Sequence, residues 1–406
     1  GITLVNMYAK CGVLEKAHGV FKELPVRNVV AWTTLIDGYV MHGRGDEALK
    51  CFRQMQDKGV SPNAVTYICV LKVCGILGSL DIGEDIDVEV RKQGLLHTDV
   101  VVGNSLVDMY LKCGMIKKAQ EVFEQLPVPD IVSWNALISG YAQHGLGDEA
   151  FQRFRQMKDE GICPNSETYI SILKACSTLG PLEVGQDIDT EVRSQRLLEK
   201  DIVLGNTLVQ MYSKYGASDK AREVFDQLPV RDSGSWNALI GGYTQLGQAN
   251  VVLNLYRMMR MTEGIVPNLA TFVLLLTVCS HAGLLDEGEI LFNEMSDVYC
   301  LTPTLIHYSC MINLFGRAGH FDKVMALIKK MPFSDYPPIW GALLGACQKN
   351  GNVKLGRLAF EQAMQLDNNS STAYIAMTNI YTAAGMQEEA AKIEAMRAKN
   401  QEKIVA

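Results

Sequence analysis

The residues of this chain that could do covalent or metal chemistry are eleven cysteines and seven histidines. No two cysteines form a C-x-x-C pair, the spacing that marks a zinc or redox site. The sequence also contains no glycine-rich phosphate loop and no spaced metal-ligand cluster. We therefore expect no metal, no cofactor and no catalytic residue, and we interpret the cysteines as reduced thiols that fill a hydrophobic core.

Composition and charge exclude several classes of protein. With 48% hydrophobic and 20% charged residues, the chain is too apolar for disorder, yet no uncharged apolar run approaches the ~18 residues of a membrane span. We therefore expect no membrane contact. The 38 basic and 45 acidic residues leave a net charge of -7, so the global basic field of a non-specific nucleic-acid binder is absent. Any nucleic-acid binding must therefore depend on a local surface and not on the overall charge of the chain.

A repeat of about 102 residues decides the architecture. The segments VVAWTTLIDGYVMHGRGDEALKCFRQMQDKGVSPN (29–63) and IVSWNALISGYAQHGLGDEAFQRFRQMKDEGICPN (131–165) share 20 of 35 positions, and a third copy starts at Ser233. Each period contains three related units of 35, 36 and 31 residues. The length alone is compatible with two or three domains or with one repeat array, and the repeat favours the array.

Each unit has the pattern of a helical hairpin. Trp134, Leu137, Ile138 and Tyr141 follow the spacing of one helix face, and glycines separate the two helices of the unit. A two-helix unit cannot bury its apolar face alone, so neighbouring units must stack. We predict an all-α fold, a right-handed α-solenoid superhelix of helix-turn-helix repeats, in which the first helix of each unit lines a concave groove.

Aromatic, histidine and cysteine side chains recur with the same period. Trp32, Trp134 and Trp236 are predicted to pack in the core, and so is the later Trp340. We expect His42 and His144 to end helices, and we place the following cysteines in the core: Cys74, Cys176, Cys279 and Cys347.

The motif V-x-W-N-x-L-I-x-G-Y, followed by D-E-A-x-x-x-F-x-x-M and G-x-x-P-N, resembles the pentatricopeptide repeat. Three unit types in fixed order resemble the plant PLS subclass, and the resemblance covers essentially all 406 residues. A tetratricopeptide scaffold is disfavoured because Trp134 is followed by Ile138-Ser139-Gly140-Tyr141 and the unit length alternates.

The resemblance divides the chain into a PLS repeat tract, 1–336, whose first S unit is truncated, and an E-motif region, 337–406, with two degenerate hairpins. The units of the tract are S (1–28), P (29–63), L (64–99), S (100–130), P (131–165), L (166–201), S (202–232), P (233–268), L (269–304) and S (305–336).

The resemblance implies that the partner is single-stranded RNA, with about one base read per unit. The family's fifth position falls on Thr33, Asn104, Asn135, Asn206 and Asn237. Its last position falls on Asn63, Asp130, Asn165, Asp232 and Asn268. The second position, which packs against the base, falls on Val30, Val101, Val132 and Val203, with Gly234 in the third P unit.

A structural role is the alternative for these polar residues, because asparagine or aspartate at a helix start usually caps the helix. Their recurrence in register favours RNA reading. Ile68, Ile170 and Val273 occupy the fifth position of the L units and cannot hydrogen-bond a base, so these units are interpreted as spacers. The terminal S unit pairs Ser309 with Tyr336, which leaves its base unassigned.

The family's pairing tendencies imply an approximate target, 5′-A-n-U-Y-n-U-Y-n-n, with the RNA parallel to the protein. The implied assignments are A for Thr33 with Asn63, U for Asn104 with Asp130, a pyrimidine for Asn135 with Asn165, U for Asn206 with Asp232, and a pyrimidine for Asn237 with Asn268.

PLS tracts with E motifs resemble site-recognition factors for C-to-U editing of organelle transcripts. Cytidine deamination needs a zinc site built from H-x-E and C-x-x-C, and neither motif occurs here. We therefore expect a non-enzymatic recognition factor, with a DYW-type deaminase or other editing factors supplied in trans through the E motifs. The alternatives are an organelle RNA-binding factor for splicing, stability or translation, and a non-RNA protein-interaction scaffold.

Localisation follows from the resemblance alone, which implies a mitochondrion or a chloroplast. The sequence opens GITLVNMYAK, without an initiator methionine or a charged, serine-rich presequence. We expect any targeting peptide to lie outside this sequence.

Overall fold

A computed structural model describes residues 1–331, 337–367 and 369–405. Across these ranges the chain forms 25 α-helices and one 3₁₀ turn, and no strand. The predicted all-α class is confirmed. The chain divides into two compact units, Gly1–Met211 and Tyr212–Ala406.

The first compact unit contains thirteen complete α-helices among its described residues: α1 (Ile2–Lys10), α2 (Leu14–Glu23), α3 (Val29–Met41), α4 (Gly45–Asp57), α5 (Ala64–Leu77), α6 (Leu80–Lys92), α7 (Leu95–Thr98), α8 (Val100–Lys112), α9 (Ile116–Glu124), α10 (Ile131–Gln143), α11 (Gly147–Asp159), α12 (Ser166–Leu179) and α13 (Leu182–Ser194). A 3₁₀ turn (Leu197–Glu199) and most of α14 (Ile202–Lys214) complete it.

The second compact unit continues from the end of α14 with the following helices: α15 (Ser218–Gln227), α16 (Ser233–Gln245), α17 (Ala249–Met261), α18 (Leu269–Ala282), α19 (Leu285–Asp297), α20 (Leu305–Arg317), α21 (Phe321–Lys330), α22 (Pro337–Asn350), α23 (Val353–Leu366), α24 (Ser371–Ala383) and α25 (Gln387–Val405).

The helices form hairpins whose starts coincide with the repeat boundaries read from the sequence. Helices α3, α5, α8, α10 and α12 each begin at the first residue of a unit, and so do α14, α16, α18 and α20. Gly145, with φ 71°, lies in the left-handed region just after α10, where a side chain would be strained. It turns the chain into α11, as the sequence predicts.

Successive hairpins stack in two layers. Within the first compact unit, the first helices contact one another in the order α1, α3, α5, α8, α10 and α12. The second helices α2, α4, α6, α9 and α11 each pack against the first helix of their own hairpin and that of the next, as α9 packs against α8 and α10. In the second unit the first-helix layer runs α16, α18, α20, α22 and α24. This stacking is what two-helix repeats require to bury their apolar faces.

Tryptophan and phenylalanine rings hold the junction between an S unit and the following P unit. Trp134 is fully buried and lies edge-on to Phe123 of α9, with 4.8 Å between ring centroids. Trp32 and Trp236 repeat this contact with Phe21 and Phe225, at 4.6 and 4.8 Å. Trp340 is also buried, so all four tryptophans are core residues, as predicted.

Glycine in the motif x-G-Y allows two first helices to approach closely. A Cβ atom on Gly38 would lie 2.6 Å from the Cβ of Ala9, and one on Gly140 would lie 2.4 Å from Leu111 Cδ1. Real Cβ atoms do not come this close, so the helix spacing at these junctions depends on glycine.

The first two L units contain an extra turn that the sequence did not predict. Helix α7 and the 3₁₀ turn occupy the same place in consecutive L units, and each buries a leucine, Leu96 or Leu198. Gly94 starts the first turn with φ 69°, whereas Arg196 adopts φ 53° at the start of the second. The third L unit, 269–304, has the same 36 residues but no helical turn between α19 and α20.

Candidate nucleic-acid interface

The residues at the last position of each unit are N-caps of the next first helix. The Oδ1 atoms of these side chains accept the backbone N–H three residues ahead at 2.8–3.1 Å: Asn63, Asp130, Asn165, Asp232 and Asn268. In each case a Ser or Thr hydroxyl accepts the N–H of the cap in return, which completes a capping box. The capping role considered from the sequence is therefore confirmed.

The fifth-position residues lie beside these caps. Asn104 Nδ2 donates to Asp130 Oδ1 at 3.2 Å, and Asn135 Nδ2 donates to Asn165 Oδ1 at 3.1 Å. The two members of each pair are 26 and 30 residues apart in sequence, and stacking of consecutive first helices brings them together.

The third P unit and the first P unit complete the pattern. Asn237 Nδ2 donates to Asn268 Oδ1 at 3.1 Å. In the first P unit, Thr33 reaches its cap through a third residue: its Oγ1 lies 2.7 Å from Thr66 Oγ1, and Thr66 Oγ1 donates to Asn63 Oδ1 at 2.9 Å. Four fifth-position side chains are thus tied to the cap of the next helix.

Three other predicted residues, Asn206, Asp232 and Ser309, lie at the helix positions that the repeat predicts for them. Asn206 lies on α14, four residues after its start, and Asp232 caps α16 in the second compact unit. Ser309 lies on α20, whereas Tyr336 lies outside the described residues.

P and S units hold their fifth-position asparagine differently. In the P unit, Thr168 Oγ1 donates to Asn135 Oδ1 at 2.6 Å, so both ends of this amide are held. In the preceding S unit, the Ser133 hydroxyl donates to Asp130, and the buried Oδ1 of Asn104 has no partner among the described residues. The Asn104 amide therefore has an unused acceptor.

Asp130 is a carboxylate with one oxygen engaged. Its Oδ1 accepts from the Ser133 amide, the Ser133 hydroxyl and Asn104, while Oδ2 makes no hydrogen bond within the described part of the chain. Partial burial raises the pKa of Asp130, but hydrogen bonds from Ser133 and Asn104 outweigh it, and the pKa is lowered. The side chain is ionised at neutral pH, and Oδ2 is an available acceptor.

Four valines at the second position are exposed, although valine usually lies inside. Their exposed fractions are 52–55%: Val30, Val101, Val132 and Val203. Two further residues at the same position, Val65 and Ile306, are 54% and 57% exposed and were missed from the sequence. Both are the second residue of their unit, and counting from the unit boundary would have identified them. Gly234 offers no such surface.

A groove of about 480 Å³ joins these features in the first compact unit. Its lining includes five predicted residues, namely Val101, Asn104, Asp130, Val132 and Asn135. It also includes charged residues that sequence reasoning did not assign: Lys72, Asp108, Lys112 and Glu167. Glu167 accepts a hydrogen bond from Asn135 Nδ2 at 3.0 Å. The groove combines apolar surface, amides and charges, which are the groups that contact an unstacked nucleotide.

The remaining reactive residues have structural roles. His42 and His144 are the C-caps of α3 and α10, as predicted. Burial raises the pKa of the Cys74, Cys176 and Cys347 thiols to about 12, so they stay protonated in the core.

The described ranges contain no candidate metal site and no candidate membrane span. No group of three or more His, Cys, Asp or Glu side chains there could hold a metal ion. None of the helices in those ranges is long and apolar enough to cross a membrane.

Comparisons with known proteins were made on the whole chain. A model of the PPR repeat family matches residues 27–75 and 129–178. A PPR repeat model matches residues 2–29, 104–128, 206–232, 234–261 and 306–335, and a pentatricopeptide repeat domain model matches 255–318. A chloroplastic pentatricopeptide repeat-containing protein of Arabidopsis thaliana is 37% identical over 97% of this chain and 73% of its own length.

The chain belongs to the pentatricopeptide repeat family. A mitochondrial pentatricopeptide repeat-containing protein of the same plant is 36% identical over 95% of this chain and 69% of its own length. Two other mitochondrial relatives, each 37% identical, are longer, and the chain spans 63% and 62% of them.

Solved structures show the same repeat fold. The pentatricopeptide repeat protein PPR10, crystallised in complex with an 18-nt psaJ RNA element, matches 99% of this chain and 60% of its own, with a TM-score of 0.75 and 20% identity. PPR10 from maize matches 97% of this chain and 62% of its own, with a TM-score of 0.55 and 20% identity. The stacked helix-turn-helix solenoid predicted from the sequence is therefore confirmed as the fold of this pentatricopeptide repeat protein.

Proposed function

We propose that this pentatricopeptide repeat protein binds single-stranded RNA sequence-specifically, with its P and S units each reading one nucleotide. The supporting observation is the recurring pair of fifth-position and cap side chains beside an exposed valine. A hydrogen-bonded pair presents donors and acceptors to a base edge, and the valine offers an aliphatic surface to the base face. The match to the RNA-bound PPR10 structure supports the same function.

The arrangement reconciles capping with base reading. A cap needs only the Oδ1 atom, which stays fixed by the helix end. The Nδ2 atom of Asn268 donates to Ser233 Oγ at 3.2 Å, but the second atom of the Asn63, Asn165 or Asp130 side chain remains for the base. In Asp130 that atom is an acceptor, Oδ2. The cap and the reader are thus one side chain, held in place by the start of the helix it caps.

The acidic net charge is consistent with RNA binding because of where it lies. The second helices of the L units, α6, α13 and α19, have net charges of -3, -3 and -5, which together give -11 against -7 for the whole chain. The groove is lined by residues of α5, α8, α10 and α12 and by the cap Asp130, so the charges of α6 and α13 in the same compact unit do not line it. This distribution favours RNA binding over the scaffold alternative, for which the net charge was the argument.

Binding of short RNAs tests this function. We expect 5′-A-n-U-Y-n-U-Y-n-n to bind at least about 30-fold more tightly than an RNA with two of the readable bases changed, because each mismatch at a base edge costs ~1–3 kcal/mol. A fluorescence-anisotropy titration at fixed salt measures both affinities. Equal affinity for the target and a permuted RNA of the same composition would show that the pairs are caps only.

We further propose that the RNA is an organelle transcript and that binding selects a cytidine for C-to-U editing. The PLS order of the units and the E-motif region, 337–406, support this role, as do relatives named mitochondrial and chloroplastic. The 406 residues lack H-x-E and C-x-x-C, so a zinc deaminase outside them supplies the chemistry.

Loss of the gene tests the editing role. We expect one or a few organelle cytidines, each a few nucleotides downstream of a target match, to remain unedited in transcript sequencing, and the intact gene to restore them. A deaminase should also co-purify with the protein. Normal editing together with defective splicing, abundance or translation of one transcript would favour the alternative RNA-binding role.

A further inference from the structure

The first two L units carry a lysine at a place where the base-reading units do not. Lys72 follows Ile68 by four residues on α5, and Lys174 follows Ile170 by four residues on α12. Residues four apart lie on the same face of a helix, about 6 Å apart along its axis. Each lysine therefore stands one turn beyond the fifth position, on the face that carries it.

The structure places Lys72 in the groove. Ile68 and Lys72 line the same cavity as Val101, Asn104 and Asp130. Lys72 and Lys174 are exposed, and neither forms an ion pair within the described parts of the chain. The two ammonium groups are therefore available to an anion.

The same register in the base-reading units holds no cation. It is occupied by acidic or neutral residues: Asp37, Asp108, Ser139, Gln210 and Gly241. Lys112 also lines the groove, but its Nζ lies 2.6 Å from Asp108 Oδ2, which neutralises it. Free positive charge at this register is therefore found in the first two L units.

We infer that Lys72 and Lys174 bind phosphodiester groups of the RNA backbone, so that the L units anchor the strand while the P and S units read its bases. The inference rests on the proposed RNA binding and gives the L units a role other than spacing. An aliphatic fifth-position residue packs without selecting a base, and the lysine one turn away neutralises a phosphate. Phosphate contacts position a strand without reading its sequence.

The test measures how RNA affinity depends on salt. Lys72→Met and Lys174→Met keep the length of the side chain and remove its charge. Each contact to a single strand contributes about 0.7 to the slope of log K against log salt. We expect each substitution to make the slope less steep by about 0.7. It should also weaken binding of every RNA by the same factor and leave base preference unchanged.

Two further variants sharpen the test. Lys50→Met removes an exposed charge from the second helix α4 and should leave the slope unchanged. The third L unit has Thr277 at the same register, so Thr277→Lys should make the slope steeper by about 0.7.

The outcomes separate this inference from the proposed function. If the unmodified protein binds its target RNA and neither methionine variant lowers the slope, the lysines do not bind phosphate. If a variant changes the preferred base opposite an L unit, the lysine reads bases and the inference is wrong. If the unmodified protein binds no RNA, the proposed function itself fails. Circular dichroism confirms that each variant is folded.

Discussion

Replacing Asp130 by asparagine should change the preferred third nucleotide of the target from U to C. The corresponding Asp232→Asn should do the same at the sixth nucleotide. The double variant should bind the RNA with C at both nucleotides more tightly than the original RNA, which reverses the preference of the unmodified protein.

The geometry of the cap explains why this substitution separates reading from folding. Asp130 caps α10 through Oδ1 alone, and an asparagine retains that atom for the Ser133 amide and hydroxyl. The change replaces Oδ2, an acceptor, by Nδ2, a donor. Asn165 already caps α12 in this way, so the helix start is preserved.

The matched control is another aspartate cap. Asp99 accepts the amides of Val101 and Val102 at the start of α8, but it ends an L unit whose fifth position is Ile68. Asp99→Asn should leave base preference unchanged. Titrations with four RNAs, each carrying a different base at the third nucleotide, measure the switch. A uniform loss of affinity for all four would mean that Asp130 is only a structural cap.

The largest effect on stability should come from Trp134→Ala. Trp134 has no exposed surface and packs edge-on against Phe123, at the junction of an S and a P unit. Truncation of a buried tryptophan leaves a cavity and typically costs ~3–5 kcal/mol. In a repeat array this loss falls on one interface between units. We therefore expect a lower unfolding midpoint in urea and a broader transition.

Conservative variants distinguish packing from hydrogen bonding in this prediction. The Trp134 Nε1 group has no hydrogen-bond partner among the described residues, whereas Trp236 Nε1 donates to Glu263 Oε2 at 2.8 Å. Trp134→Phe should therefore cost less than Trp236→Phe, because only the second breaks a hydrogen bond and leaves Glu263 without it. A cost below about 1 kcal/mol for Trp134→Ala would contradict the packing role.

The helices, the unit boundaries and most of the core follow from local patterns in the sequence. Helix faces repeat every three to four residues, and caps act within one turn, so both leave their signal in neighbouring residues. For this reason the start of α10 after Asp130, the turn at Gly145 and the burial of Trp134 could all be predicted. Because the repeat period is regular, an assignment made in one copy also predicts the corresponding residues of the other copies.

The assembly of the candidate site depends instead on how the helices pack. Asn135 meets Asn165, Thr168 and Glu167 because one first helix stacks on the next, and the distance between stacked helices is not a local property. The free acceptor of Asn104, its Oδ1 atom, also results from the way in which α8 stacks on α10.

The position of Lys72 in the groove was also decided by the fold. From the sequence alone, a lysine four residues after Ile68 is expected to be an ordinary exposed helix residue. It shares a cavity with Asn104 because α5 and α8 pack side by side, and periodicity within one helix contains no information about that contact.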